Sequence, residues 1–168
     1  MTGKENSILD HRQIRQKIRR IAYEIYEQHY GENTIWLAGI EGQGYTFAAM
    51  LKNELESISS LEIELIKVIV DKQAPSQQRV HTDKPVNQLS GQSIILVDDV
   101  LHTGRTLAYA LEPFLHQPIK SLRVAVLVNR SHTIFPVQPA YTGYELATTL
   151  SDHIEVILDT ENSKVTMR

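Results

Sequence analysis

Two apolar rhythms alternate along this chain. The first is helical: Ile14, Ile18, Ile21 and Ile25 recur three or four residues apart, behind Asp10, whose short carboxylate suits a helix cap. The second is a series of short strand-like runs, at Thr34 to Ala38, Ile94 to Val97, Ser121 to Val128 and Ile154 to Leu158, with Leu61 to Val70 alternating before its apolar end. Runs of this kind belong to strands covered on both faces, and helical stretches at Tyr45 to Leu55 and from Thr106 through Leu115 separate them. Alternation of this kind predicts an α/β fold with a mostly parallel central sheet flanked by helices, and a ligand site at the carboxyl ends of the strands. Met1 to Ser7 is polar and expected to fray, and the chain beyond Asp159 reads as a polar tail.

Composition narrows the class without naming a function. With 168 residues, 42% hydrophobic and 22% charged, the chain has the size and balance of one globular domain spanning residues 1–168. A net charge of −3 provides no global field for nucleic acid, and the lack of cysteine removes disulfides and thiolate metal sites. No apolar run approaches a membrane span, so a cytoplasmic protein is expected. The polar face of the first helix carries Arg12, Arg15, Lys17, Arg19 and Arg20. That face suits RNA, or it is a solvated surface balanced by Glu24 and Glu27.

The densest chemistry lies between Ser93 and Thr106. The run Ile94 to Val97 leads into Asp98 and Asp99, then a turn, Leu101 to Arg105, and a helix start at Thr106. Backbone N–H groups at a helix start attract a phosphate, and Gly104 lets the backbone curl around it, with Thr103 and Thr106 adding hydroxyls. Adjacent carboxylates repel that phosphate but suit sugar hydroxyls or a hydrated magnesium ion. A phosphorylated sugar satisfies both requirements.

This order of residues, an apolar strand, Asp-Asp and then Thr-Gly-x-Thr, resembles the diphosphoribose-binding motif of type I phosphoribosyltransferases. The similarity runs through nearly the whole chain, in the same order as in the bifunctional pyrimidine-operon attenuator and uracil phosphoribosyltransferase family. The resemblance implies catalysis by Asp98 and Asp99, and ribose 5-phosphate binding by Val100, Leu101, His102, Thr103, Gly104, Arg105 and Thr106. It assigns pyrophosphate to the loop Ile40, Glu41, Gly42, Gln43 and Gly44, where Glu41 and Gln43 stand in place of the relatives' basic residues. Taken alone, that glycine-rich stretch also reads as a tight strand-to-helix turn.

The polar stretch 71–88 corresponds to a mobile loop that closes over the site; Val70-Asp71-Lys72 stands near the relatives' Arg-Asp-Asp, and Lys72, Arg79 and Lys84 could supply charge. Residues 129–150 correspond to a small hood over the strand carboxyl ends, reading the base through Asn129, Arg130, Phe135 and Val137, although such apolar residues also complete cores. The implied reaction is transfer of ribose 5-phosphate from phosphoribosyl pyrophosphate to a nucleobase, uracil first and a purine as a weaker alternative. Magnesium would be held indirectly through Asp98 and Asp99, and the resemblance implies a homodimer or higher homo-oligomer. The competing reading is a nucleotide-sensing regulator that binds RNA and has little catalysis.

Overall fold

The computed structural model describes residues 5–76 and 78–168. Helix α1 (His11–Gln28) opens with a reciprocal cap: the Gln13 N–H donates to Asp10 Oδ1 at 2.8 Å, and the Asp10 N–H donates to Gln13 Oε1 at 2.9 Å. Its stripe of Ile14, Ile18, Ile21, Ala22 and Ile25 is buried, as the spacing predicts.

The central sheet alternates with helices after that. Strand β2 (Thr34–Ile40) leads to α2 (Gln43–Ile58) and β3 (Glu62–Ile69); the short β4 (His81–Thr82) and a 3-10 turn (Val86–Leu89) precede β5 (Ser93–Leu101). Helices α3 (Arg105–Ala110) and α4 (Glu112–Leu115) return the chain to β6 (Ser121–Asn129) and β7 (Tyr141–Glu145). The six strands lie in the order β4-β3-β2-β5-β6-β7, parallel except for β4 at one edge. Successive residues of β2 and β5 enter opposite cores: Ile35, Leu37, Ile95 and Val97 pack with α1 and α2, whereas Trp36, Ala38, Ile94 and Leu96 pack with α3 and α4. Both faces demand apolar residues, which explains the unbroken runs in the sequence.

Both ends of the chain differ from expectation. Asn6–Leu9 is strand β1, and beyond β8 (Ile154–Ile157) the tail forms β9 (Lys164–Met167). These three make a separate antiparallel sheet in the order β1-β9-β8, with Leu9, Val156 and Val165 buried against the α1 and α2 side. Each strand contributes few apolar residues, and pairing between distant segments supplies what local pattern lacks. Of the predicted frayed segment, residues 1–4 lie outside the described residues.

The stretch predicted as hood also divides. Tyr141–Glu145 is the sixth strand of the main sheet, paired in parallel with β6, and Tyr141 is buried with its hydroxyl bonded to Gln28. A Cβ at Gly143 would lie 2.6 Å from the Leu127 carbonyl oxygen, so glycine permits this close approach. The β1-β9-β8 sheet also reaches the carboxyl ends of the main strands, where the Leu158 N–H donates to Gln43 Oε1 at 2.9 Å and Ile154 lines the cavity.

The predicted loop 71–88 is structured in its second half. Asp83 exchanges two hydrogen bonds with the Lys67 backbone, and Lys84 Nζ donates to the Leu65 carbonyl at 2.6 Å. Gln77 lies outside the described residues. The helix predicted from Thr106 to Leu115 breaks at Leu111, because Pro113 has no N–H to continue the ladder.

Candidate active site

The site grows from the end of β5. The strand continues through the acids rather than ending before them: Asp98 is in register with Val126, Val100 with Val128 and Leu101 with Asn129. This pairing fixes the acids on a rigid element and shortens the turn to His102–Gly104. Asp98 is only 3% exposed, and its Oδ1 accepts from the Asp99 N–H at 2.9 Å and from Lys72 Nζ at 3.3 Å. Lys72 also stands 3.8 Å from Asp99 Oδ1. A Cβ at Gly44 would lie 2.8 Å from Asp98 Oδ1, so the start of α2 presses directly on the acid.

One ammonium therefore faces two carboxyl groups. Burial, reinforced by Asp99 and only partly opposed by Lys72, pushes the Asp98 carboxyl up to about 8. Burial works against the Lys72 charge, but Asp98 and Asp99 more than offset it and hold the ammonium above its ordinary value. The direction for Asp98 is upward, because a second buried negative charge has only one cation to face.

The turn after β5 is held from behind by the segment following β6. The Ile134 and Phe135 N–H groups donate to the Thr103 carbonyl at 2.9 and 3.1 Å, and the Arg130 N–H to the Leu101 carbonyl at 3.0 Å. Gly104 takes a left-handed φ of +86° and caps α3, which a side chain would strain. Thr103 Oγ1 accepts from the Arg105 N–H at 3.3 Å, and the exposed Arg105 guanidinium lies 5.6 Å over the Phe135 ring.

A cavity of about 350 Å³ is lined continuously from Asp98 to Leu107, and by Lys72, Arg130, His153 and Ile154. Every residue predicted to hold ribose 5-phosphate thus lines one space with both acids. His102 lies on its wall with its ring edge-on to His132 at 6.2 Å, and burial, with Arg130 and His132 nearby, lowers its pKa from the usual histidine value.

The other predicted groups fall elsewhere. Ile40 is in β2 and buried in the core; the Glu41 N–H is committed to the Val68 carbonyl at 2.8 Å; Gly42, at φ +99°, turns the chain into α2. Gln43 spends its amide oxygen on Leu158, so this loop contributes no cation to the cavity. Asn129 bonds to Glu145 and to the Ser131 N–H, Phe135 supports Gly104 and Arg105, and Val137 is core. Arg130 reaches the cavity wall, but its guanidinium donates to Thr148 Oγ1 and to the carbonyls of Thr149 and Asp152, anchoring that loop. His153 and Ile154, which no local motif singles out, enter the wall because the small sheet folds over it. On the basic helix face, Arg15 and Arg19 approach Glu54, and Arg20 pairs with Glu24 and donates to the carbonyls of Thr142 and Gly143.

Among the described residues no group of three or more metal-ligating side chains gathers, and no helix is long and apolar enough to cross a membrane. Two carboxylates at a cavity edge still fit magnesium, which takes one or two protein carboxylates and completes its shell with water and phosphate oxygens.

Comparison with known proteins agrees with this geometry. The chain is 34% identical to the bifunctional protein PyrR of Clostridium acetobutylicum over 156 residues, covering 89% of this chain and 88% of that protein. It is 30% identical to the PyrR of Leuconostoc mesenteroides over 171 residues, covering 98% and 96%. The fold is similar to the hypoxanthine phosphoribosyltransferase of Trypanosoma cruzi, with a TM-score of 0.75, 20% identity and 95% of each chain covered. A hypoxanthine-guanine phosphoribosyltransferase of Bacillus anthracis gives a TM-score of 0.70 at 19% identity, covering 84% of this chain and 82% of that one. Residues 4–161 match the phosphoribosyl transferase domain model, which takes in the acids, the turn and the sheet that carries them; the chain belongs to the type I phosphoribosyltransferase family.

Proposed function

We propose that the protein transfers ribose 5-phosphate from phosphoribosyl pyrophosphate to a nucleobase, uracil first, with release of pyrophosphate. The observation that carries this reading is the single cavity lined from Asp98 to Leu107, which sets two carboxylates beside a glycine turn and a helix start. The turn from Thr103 to Thr106 takes the 5-phosphate, and Asp98 and Asp99 take the ribose hydroxyls. As the bond from the anomeric carbon to pyrophosphate breaks, positive charge develops on the ribose, and the two acids lie on the side where it is stabilised. Catalysis rests on positioning and electrostatics, with no covalent nucleophile. Asp98 and Asp99 would hold magnesium through its water shell, and the ion would supply neutralising charge for the leaving pyrophosphate. The proposal includes action in the cytoplasm as a homo-oligomer.

The test is an assay with magnesium, phosphoribosyl pyrophosphate and a panel of pyrimidine and purine bases. Turnover with uracil is expected; turnover only with a purine reassigns the base, and none with any base, in folded protein, removes the enzymatic reading.

One observation favours a second reading, a nucleotide-sensing regulator acting on RNA: the loop 40–44 brings no cation to the pyrophosphate side. The relatives' printed description, bifunctional, supports keeping it. The ion pairs of Arg15, Arg19 and Arg20 weigh against the first helix as its RNA surface. Calorimetry with RNA across a salt series separates the readings: salt-sensitive binding that responds to nucleotide, without turnover, selects the regulator.

A further inference from the structure

The segment between β7 and β8, residues 146–153, has little core of its own. Leu150 is 80% exposed, and Thr149, Ser151 and His153 are exposed as well. Hydrogen bonds from the residues just after β6 set its place instead. Arg130 Nε donates to Thr148 Oγ1 at 3.0 Å, and Arg130 Nη2 donates to the carbonyls of Thr149 and Asp152. His132 Nε2 donates to the Thr148 carbonyl. Ser131, between them, has a left-handed φ of +60°, which residues other than glycine seldom adopt. That strained turn lets both of its neighbours meet Thr148.

Arg130 is 5% exposed, and each of its acceptors is a neutral hydroxyl or carbonyl oxygen. A guanidinium buried on neutral oxygens is a costly anchor, and an apolar side chain would stabilise the fold as well or better. What the guanidinium adds is geometry, because its rigid plane of donors fixes three points of the loop at once. In the other direction, the Arg130 backbone N–H holds the Leu101 carbonyl at 3.0 Å. One residue thus joins the phosphate turn to the loop that leads into His153 and Ile154 on the cavity wall. With the turn and the acids assigned to the phosphosugar, this wall bounds the space left for the acceptor base.

We propose that Arg130 is a positioning residue for the acceptor side of the cavity: through Thr148, Thr149 and Asp152 it sets where His153 and Ile154 stand, and through its backbone it registers them against the phosphate turn. This rests on the phosphoribosyl reading above. Arg130 acts on the base through the loop, and its guanidinium stays in the carbonyl cage when the base binds.

Steady-state kinetics on the full chain, with magnesium, saturating phosphoribosyl pyrophosphate and the base that it turns over, test this beside calorimetry with ribose 5-phosphate and NMR of the His153 ring. Arg130→Met is expected to raise KM for the base about tenfold or more, the value of lost hydrogen bonds to a charged group, and to leave ribose 5-phosphate affinity within about twofold of the parent. Thr148→Val, which alters the loop and keeps Arg130, is expected to raise the same KM about threefold. Both variants shift the His153 ring signals of the free protein, and Arg130→Lys recovers part of the loss. If Arg130→Met acts alone, with Thr148→Val and the His153 signals unmoved, Arg130 touches the base itself and the positioning role is overturned. It is overturned too if KM is unchanged in both variants, or if ribose 5-phosphate binding falls as far as base binding. Should Arg130→Met fail to fold, Thr148→Val decides: a raised KM with moved His153 signals upholds the role, and no change overturns it. If the parent turns over no base, the phosphoribosyl reading fails and the proposal with it.

Discussion

The two ends of the cavity are built on different principles. At the end proposed for ribose phosphate, the acids are part of β5, the turn is held by three backbone hydrogen bonds from the segment after β6, and Gly104 starts α3. At the end proposed for pyrophosphate, the loop after β2 has its Glu41 N–H committed to β3 and its Gln43 amide committed to the terminal sheet, and Lys72 faces the acids. The first end presents ordered backbone to the cavity; the second presents one long side chain. An end built from backbone is read easily in a sequence, because the glycine and hydroxyl spacing that makes it is local.

The contrast can be broken most directly at the acids. Asp98→Asn combined with Asp99→Asn is expected to lower turnover by about 10³-fold or more, from loss of preorganised charge, while thermal unfolding shows an intact fold. Full activity in that variant would remove the acids from the mechanism.

The next effect concerns pH. Because the folded Asp98 carboxyl sits near 8, above its unfolded value, its contribution to stability is complete below about pH 4. It is lost as pH rises towards 8, at up to about 1.4 kcal/mol per pH unit. Urea midpoints of the ligand-free protein should therefore favour Asp98→Asn over the parent more at pH 8.5 than at pH 5. A constant difference would contradict the burial argument.

Gly44→Val probes the contact between the two ends, since even a Cβ there would lie 2.8 Å from Asp98 Oδ1 and 3.1 Å from the Asp98 Cα and the Val97 carbonyl oxygen. A loss of about 2 kcal/mol, together with reduced turnover, is expected from overpacking. Thr103→Val should weaken ribose 5-phosphate binding by about 1–2 kcal/mol through a lost hydrogen bond to an anion, measured by titration. Glu41→Gln should be the mildest, changing the affinity for phosphoribosyl pyrophosphate by less than about 0.5 kcal/mol, because the side chain is exposed. A large gain in that variant would mean that Glu41 faces the ligand after all.

Much of this architecture is legible in the sequence where cause and effect are close together. Asp10 and Gln13 cap a helix three residues away, the isoleucine stripe faces one core, and the acids and Gly104 sit on consecutive elements. The terminal sheet is not legible, because β1 and β9 are four residues each and become strands only by pairing with each other from opposite ends of the chain. Arg130 reads as a ligand-facing group, yet its guanidinium meets a carbonyl cage formed some twenty residues later, at Thr149 and Asp152. Tyr141–Glu145, placed in the hood by the family resemblance, is a strand of the main sheet, and its glycine serves a close contact with Leu127.

The terminal sheet also imposes an order in time. Strand β9 lies between β1 and β8, so β1 has no neighbour in that sheet until the last strand has been synthesised. All six strands of the central sheet, with the acids and the phosphate turn, precede β8 in the chain and can assemble earlier during translation. Completion of the small sheet therefore waits for synthesis of β9, and a chain cut short before Lys164 would carry the acids and the turn without the strand that joins β1 to β8.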